Sequence, residues 1–170
     1  DTAGNFVIEP ISEYRIFFTE GLADVTVDGK SGYIDYEGNY VIEPQFEMAG
    51  EFHNGIAYAK LNGKYGYIDW EGNVVIPPQF DDANSFFNGL ALVKVNDKYG
   101  YIDTTGEMVI EPIFEKANNF KNGLARVKIN GLYNFINTKG KLMFFDQSYY
   151  LTTLCKNNYN NLWFHWHIKQ

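Results

Sequence analysis

The chain has 170 residues, 45% of them hydrophobic and 18% aromatic, and a formal net charge of −7. That charge, with no cluster of Lys or Arg, argues against nucleic acid, whose phosphate backbone selects a basic stripe. No run nears the roughly 18 apolar residues of a membrane helix, and a lone cysteine, Cys155, excludes an internal disulfide without fixing the compartment.

The chain opens on Asp1-Thr2-Ala3-Gly4, which aligns with Asp103-Thr104-Thr105-Gly106. It thus begins in the middle of a repeat, as a piece of a longer array would, with any targeting segment upstream. Pro10, Pro44, Pro78 and Pro112 recur at a constant step of 34 residues, as do Gly21, Gly55, Gly89 and Gly123. A fixed period of this size is the mark of a repeat architecture, in which each unit is too small to bury a core alone and leans on its neighbours. Four units follow, 4–37, 38–71, 72–105 and 106–139, and 140–170 is a degenerate cap or tail.

Within a unit the first predicted element is a strand. Leu90-Ala91-Leu92-Val93-Lys94-Val95 alternates, with Ala91, Val93 and Val95 on one side, and the other units repeat this at Ala23 and Val25, at Ala57 and Ala59, and at Ala125 and Val127. Strict alternation of this length means a half-buried strand. Asn96-Asp97, matched by Asp28-Gly29, Asn62-Gly63 and Asn130-Gly131, predicts a two-residue hairpin turn. The turn sets the register, so in the second unit Leu61 faces Lys64, Lys60 faces Tyr65, Ala59 faces Gly66, Tyr58 faces Tyr67 and Ala57 faces Ile68. Asp69-Trp70-Glu71-Gly72 predicts a tight turn, and Val74-Val75-Ile76 a third short strand that Pro78 ends. Phe80, Ala83 and Phe86, like Phe46, Ala49 and Phe52 or Phe114, Ala117 and Phe120, are spaced by three, which predicts a single helical turn with its apolar side inward. Asn88-Gly89 then reverses the chain into the next unit. The expected fold is all-β: three-stranded antiparallel meanders, each with a short helical turn, stacked in an elongated twisted array. A closed, propeller-like arrangement is the alternative, disfavoured because propeller blades have four strands and run longer.

No reaction emerges from this pattern. Asp35, Asp69 and Asp103 recur as turn formers, and their Asp-x-x-Gly turns lack the dense oxygen ligands of a calcium loop. Gly29-Lys30-Ser31 resembles the end of a phosphate loop, but Asp24 stands where the earlier glycine is required. His165 and His167, with Cys155, offer only three zinc ligands, and His53 is remote. No catalytic residue, cofactor or metal is therefore expected. Side chains that change between units mark the solvent face: Asp24, Tyr58, Leu92 and Arg126 at one place, Met48, Asp82 and Lys116 at another, and Thr19, His53, Phe87 and Lys121 at a third. On a fixed scaffold such positions carry specificity. Beside them run strand-two tyrosines. These either pack against the Phe-x-x-Ala-x-x-Phe segment of a neighbouring unit or form a stacking platform for a partner. The candidate ligand contacts are Tyr58, Tyr65, Tyr67, Tyr99, Tyr101 and Arg126.

The consensus Gly-x-x-Val-Ile-x-Pro-x-Phe-[Asp/Glu]-x-Ala-x-x-Phe-x-x-Gly-Leu-Ala-x-Val-x-x-Asn-Gly-Lys-Tyr-Gly-Tyr-Ile-Asp resembles the WG (KWG) repeat of bacterial proteins over residues 4–139. The Trp of the family's Trp-Gly pair is here Tyr65, Tyr99 and Tyr133, or Ser31. The Gly persists as Gly32, Gly66 and Gly100, with Asn134 in the last unit. The resemblance implies a non-enzymatic module of bacterial, frequently exported proteins, and it brings no catalytic residues. The function expected is protein binding or scaffolding, with glycan of a cell envelope as the alternative partner.

Overall fold

In a computed structural model of the chain, residues 16–143 are described. The described residues contain strands and turns but no helix, arranged as four antiparallel sheets. The first sheet comprises β1 (Ala23–Val27), β2 (Lys30–Ile34) and β3 (Tyr40–Phe46). The second comprises β4 (Met48–Ala49), β5 (Ala57–Leu61), β6 (Lys64–Ile68) and β7 (Val74–Phe80). The third comprises β8 (Asp82–Ala83), β9 (Leu90–Val95), β10 (Lys98–Asp103) and β11 (Met108–Phe114). The fourth comprises β12 (Lys116–Ala117), β13 (Leu124–Ile129) and β14 (Leu132–Asn137).

The hairpin register is the one the turns dictate. Leu61 pairs with Lys64, Tyr58 with Tyr67 and Ala57 with Ile68. Asn62 and Gly63 take φ of 51° and 79°, the left-handed pair that matches the twist of the flanking strands. The Asp turns form as expected. Asp69 Oδ1 accepts from the amides of Glu71 and Asn73 at 3.1 and 2.8 Å, and Asp35, Asp103 and Asn137 repeat this arrangement.

Two expectations are corrected. The segments 46–52, 80–86 and 114–120 are not helical turns. Each holds a two-residue strand (β4, β8 or β12) paired with the strand that follows, Met48 with Lys60 and Ala49 with Ala59 in the second sheet. Phe46, Ala49 and Phe52 are all buried. The chain bends at Glu47 between β3 and β4 and runs on without a helical turn to Phe52. Nor does Pro78 end the third strand. β7 runs through Pro77 and Pro78 to Phe80 as an edge strand, with register shifts between the pairs Tyr67–Ile76 and Tyr65–Phe80. Prolines fit there because a bulge on an edge needs no ladder amide from them. Gly66 lies beneath the bulge. A Cβ on Gly66 would stand 2.5 Å from the Ile76 carbonyl oxygen and 2.8 Å from the Pro78 nitrogen, and Gly32 and Gly100 are crowded in the same way. In the sequence, Asn134 takes the glycine's place in the fourth unit, and one period beyond Pro112 the residue is Asp146.

The strand leaving each sheet becomes the strand entering the next. β3 passes into β4 across Glu47, β7 into β8 across Asp81, and β11 into β12 across Glu115. Consecutive sheets therefore pack face to face. The tyrosine side of one, bearing Tyr67, meets the alanine-valine side of the next, bearing Ala91, Val93 and Ile102, with Phe80 and Phe86 between. The same core forms between the first and second sheets around Tyr33, Phe46, Ala57 and Ala59, and between the third and fourth around Tyr101, Phe114, Ala125 and Val127. Among the described residues no hydrophobic cluster joins the first sheet to the last.

Candidate functional site

Packing in series divides the tyrosine ladder in two. Tyr33, Tyr67 and Tyr101 are 0–1% exposed. Their rings lie 4.7–4.8 Å from Phe52, Phe86 and Phe120 of the next unit. Their hydroxyls donate to the carbonyls of Gly50, Asn84 and Asn118 at 2.6, 2.9 and 2.7 Å. Burial pushes all three hydroxyl pKa values far above the ordinary tyrosine range. Tyr67 and Tyr101 are thus corrected from candidate ligand contacts to core residues: each is enclosed by the neighbouring sheet and has its one polar atom satisfied.

The other candidates lie at the surface or near it. Tyr65 is 9% exposed, with Lys60 Nζ 5.4 Å from its ring centroid, and its hydroxyl meets Met48 Sδ at 3.3 Å. Tyr99 is partly buried with Lys94 Nζ at 5.8 Å. These are the cross-strand pairs of the hairpin, so register alone sets each cation on its ring. Arg126 is exposed and its guanidinium stacks 3.9 Å above Tyr133, which is itself 46% exposed.

Tyr58 is half-buried. It lies edge-on to Tyr65 at 6.1 Å and packs against the core shared by the second and third sheets. Its ring covers Gly50 so closely that a Cβ there would stand 2.2 Å from it. Burial, then the negative charges of Asp24, Asp82 and Glu51, push the Tyr58 hydroxyl upward. Asp24, Tyr58 and Asp82 therefore share one surface. That surface continues into the junction of the third and fourth sheets, where Asp82, Leu92, Lys94 and Tyr99 line a recess of about 160 Å³. A larger open groove of about 570 Å³ adjoins it. Leu92, Ala117, Asn119, Phe120 and Lys121 form part of the groove wall, and Asn84 Nδ2 donates to Asn119 Oδ1 at 3.1 Å across it. Phe87, 39% exposed, stands at the rim. From the first unit to the fourth this face passes from acidic (Asp24, Glu51, Asp82) through apolar (Leu92, Phe87) to basic (Lys116, Lys121, Arg126).

Sequence reasoning missed the acids at the corners. Glu47 accepts from the Gly63 amide through both oxygens at 3.1 and 3.3 Å, Asp81 from Asn96 at 2.8 Å, and Glu115 from Gly131 at 2.9 Å. Each ties the corner to the hairpin turn beside it, and Asp81 also pairs with Lys64. The signal was the acid that recurs at one place in every period, Glu13, Glu47, Asp81 and Glu115. Among the described residues no group of three or more His, Cys, Asp or Glu is placed to hold a metal, and no helix is long and apolar enough to cross a membrane. His53 meets Phe87 at 5.3 Å and Glu51 at 3.6 Å. Cys155, His165 and His167 lie outside the described residues.

No curated protein matches the chain. Among solved structures, a plant lectin with two metal binding sites from Cicer arietinum aligns over 73% of this chain and 87% of its own, at 14% identity and a TM-score of 0.32. A likeness that slight carries no conclusion about sugar, metal or fold. The family profile described as "WG containing repeat" matches four times in succession, over residues 1–30, 32–65, 65–99 and 99–133. The second, third and fourth matches begin within the second strand of a hairpin, at Gly32, Tyr65 and Tyr99. On four matches that together span most of its length, the chain belongs to the WG repeat family.

Proposed function

We propose that this chain is a non-catalytic module that binds or scaffolds protein, built as an elongated array of 34-residue units. One observation carries the reading. The register and most of the buried core recur from sheet to sheet, while the side chain paired with the second-strand aromatic changes from exposed Asp24 through half-buried Tyr58 and buried Leu92 to exposed Arg126. A scaffold held constant under a changing surface is how repeat proteins write specificity along one face. The acids that recur in every unit, by contrast, are occupied with backbone amides of turns, which leaves no shared constellation for catalysis. Tyr58, Tyr99 and Arg126 are the surface candidates of this reading, and Tyr65 lies behind them in the core.

Selection of peptides displayed on phage against the purified chain tests it. The retained peptides should lose binding to an Arg126→Asp, Lys121→Glu variant that melts like the parent. A selection that retains nothing on the parent chain sinks the reading. A second reading, glycan, is favoured by a specific arrangement: the carboxamides of Asn84, Asn118 and Asn119 line the groove beside the exposed Phe87 ring. Retention on a glycan array, abolished by Phe87→Ala, would shift the assignment to sugar.

A further inference from the structure

A tight turn stands before the first long strand of each hairpin, at Asn54–Gly55, Asn88–Gly89 and Asn122–Gly123. The three share one backbone shape: the asparagines hold φ of 55°, 52° and 52°, and the glycines 78°, 79° and 77°. Each is closed by the same reciprocal backbone bonds, His53 with Ile56, Phe87 with Leu90 and Lys121 with Leu124. That closure uses the outer residues and leaves the two central amides without a backbone acceptor. In the second unit those amides hold a carboxylate. Asn54 N donates to Glu20 Oε1 at 2.6 Å and Gly55 N to Glu20 Oε2 at 2.9 Å, one amide to each oxygen. The Gly55 amide above all, then the Asn54 amide, His53 and the Trp70 side chain, hold the Glu20 carboxyl below the usual glutamate range. The turns at Gly63, Asn96 and Gly131 take carboxylates too, from Glu47, Asp81 and Glu115.

Two units on, the turn is the same and the carboxylate is gone. Glu20 becomes Asn88, which is exposed and one methylene shorter. No side chain among the described residues accepts from the amides of Asn122 or Gly123, which are also exposed. The surrounding charges all change in one direction: His53 becomes Lys121, Glu51 becomes Asn119 and Glu71 becomes Lys139. Thr138, a hydroxyl donor, replaces Trp70. The corner acid of the same unit, Glu115, is already held by Gly131 and Lys128. At the third unit's turn Phe87 takes His53's place and brings no charge.

From this we infer that the Asn122–Gly123 turn is a carboxylate site that receives a glutamate side chain of a partner polypeptide. The inference rests on the protein-binding reading and names its partner's chemistry. Successive turn amides form a concave seat for an anion. A carboxylate set on two of them makes charge-assisted bonds, and the turn already has the shape that Glu20 meets one oxygen per amide. Lys121 and Lys139 attract an acidic segment in a chain that is otherwise net negative.

The test uses the full chain at low salt and a short acetylated, amidated peptide with one glutamate among glycines, followed by amide chemical shifts. Saturable shifts should concentrate at Asn122 and Gly123. Glutamine in place of the peptide's glutamate should weaken binding by about tenfold or more. Asn88→Glu installs Glu20's side chain at the matching place, and Glu20 itself shows that glutamate accepts this backbone, at φ of 56°. The variant should stay folded, lose the peptide, and show the Asn122 and Gly123 amides following the titration of the installed carboxyl. Asn54→Glu adds the same charge one unit earlier and should leave binding nearly unchanged. Lys121→Gln should weaken it several-fold, less so as salt is added. Equal binding of the glutamine peptide, equal binding by Asn88→Glu, or no shift at this turn overturns the proposal. If phage-selected peptides bind the parent and Asn88→Glu alike, the carboxylate site falls and protein binding stands. If selection on the parent retains nothing, both fall. A uronate oligosaccharide shifting the same two amides, with the peptide silent, overturns the polypeptide ligand and assigns the turn to acidic sugar.

Discussion

Raising the pH should unfold this chain through its three inner tyrosines. Tyrosine is neutral when protonated, and burial between sheets holds the protons of Tyr33, Tyr67 and Tyr101 more tightly than in the unfolded chain. The sign follows from linkage: above the unfolded value of about 10, the unfolded state binds fewer protons than the folded one, so stability falls as pH rises. Below that value the contribution is intact. Each fully shifted group gives a slope of about 1.4 kcal/mol per pH unit, so three give about 4 kcal/mol per pH unit. A native stability of ~5–15 kcal/mol is then exhausted between about pH 11 and 14. The assay is a pH titration with circular dichroism and tyrosinate absorbance recorded together. Of the thirteen tyrosines, the exposed ones should ionise first with the fold intact, and the inner three only as the sheet signal collapses. In Tyr67→Phe the alkaline slope should fall by about one third, to ~2.7 kcal/mol per pH unit. The same variant should lose about 1–3 kcal/mol at neutral pH, because the Asn84 carbonyl loses its donor. Full ionisation of all tyrosines near pH 10 in a folded chain would refute the argument.

Gly66→Ala should destabilise by about 1–3 kcal/mol or more, since its new methyl group meets backbone atoms that cannot rotate away; an unchanged urea midpoint would count against the bulge geometry. Gly50→Asn and Tyr58→Leu should each cost stability alone, while the double variant recreates the third unit's pair; a coupling energy of about 1 kcal/mol or more is expected from the cycle, and additivity would mean the ring does not cover Gly50. Asp97→Gly should raise the melting point. Asp97 holds φ at 62° where the other hairpins have Gly, a conformation that costs a side-chain-bearing residue up to ~1–2 kcal/mol, against an exposed, solvent-screened pair with Lys94; a lower melting point would show the pair to dominate. Glu47→Ala should speed hydrogen exchange at the Gly63 amide while leaving that of Gly131 unchanged; equal exchange would deny the corner clamp.

Local chemistry was legible in the sequence wherever one short stretch decides the outcome. Asn62-Gly63 fixes a turn, the turn fixes the pairing, and the pairing places Lys60 beside Tyr65. Asp69 and Gly72 fix the next turn in the same way. The helical expectation for 46–52 failed because a three-residue period does not distinguish a helical turn from short extended segments joined by a bend. The assignment of Tyr67 and Tyr101 failed for a different reason. Alternation separates the two sides of a strand, but it does not say how many sides are covered, and in sheets packed in series both are. The carboxylate seat at Asn122–Gly123 was invisible in any single unit. It shows only when Glu20 on the second unit's turn is set beside Asn88 two units on.

The edge strands that run on into the next sheet across a single residue have a mechanical consequence. A tensile load applied to the two ends of the described segment cannot detach one sheet as an intact bead, because the last strand of one sheet leads straight into the first strand of the next. Peeling β7 from the second sheet pulls β8 from the third. Under force the array should yield by progressive unzipping from an end, with no sawtooth of independent unit ruptures.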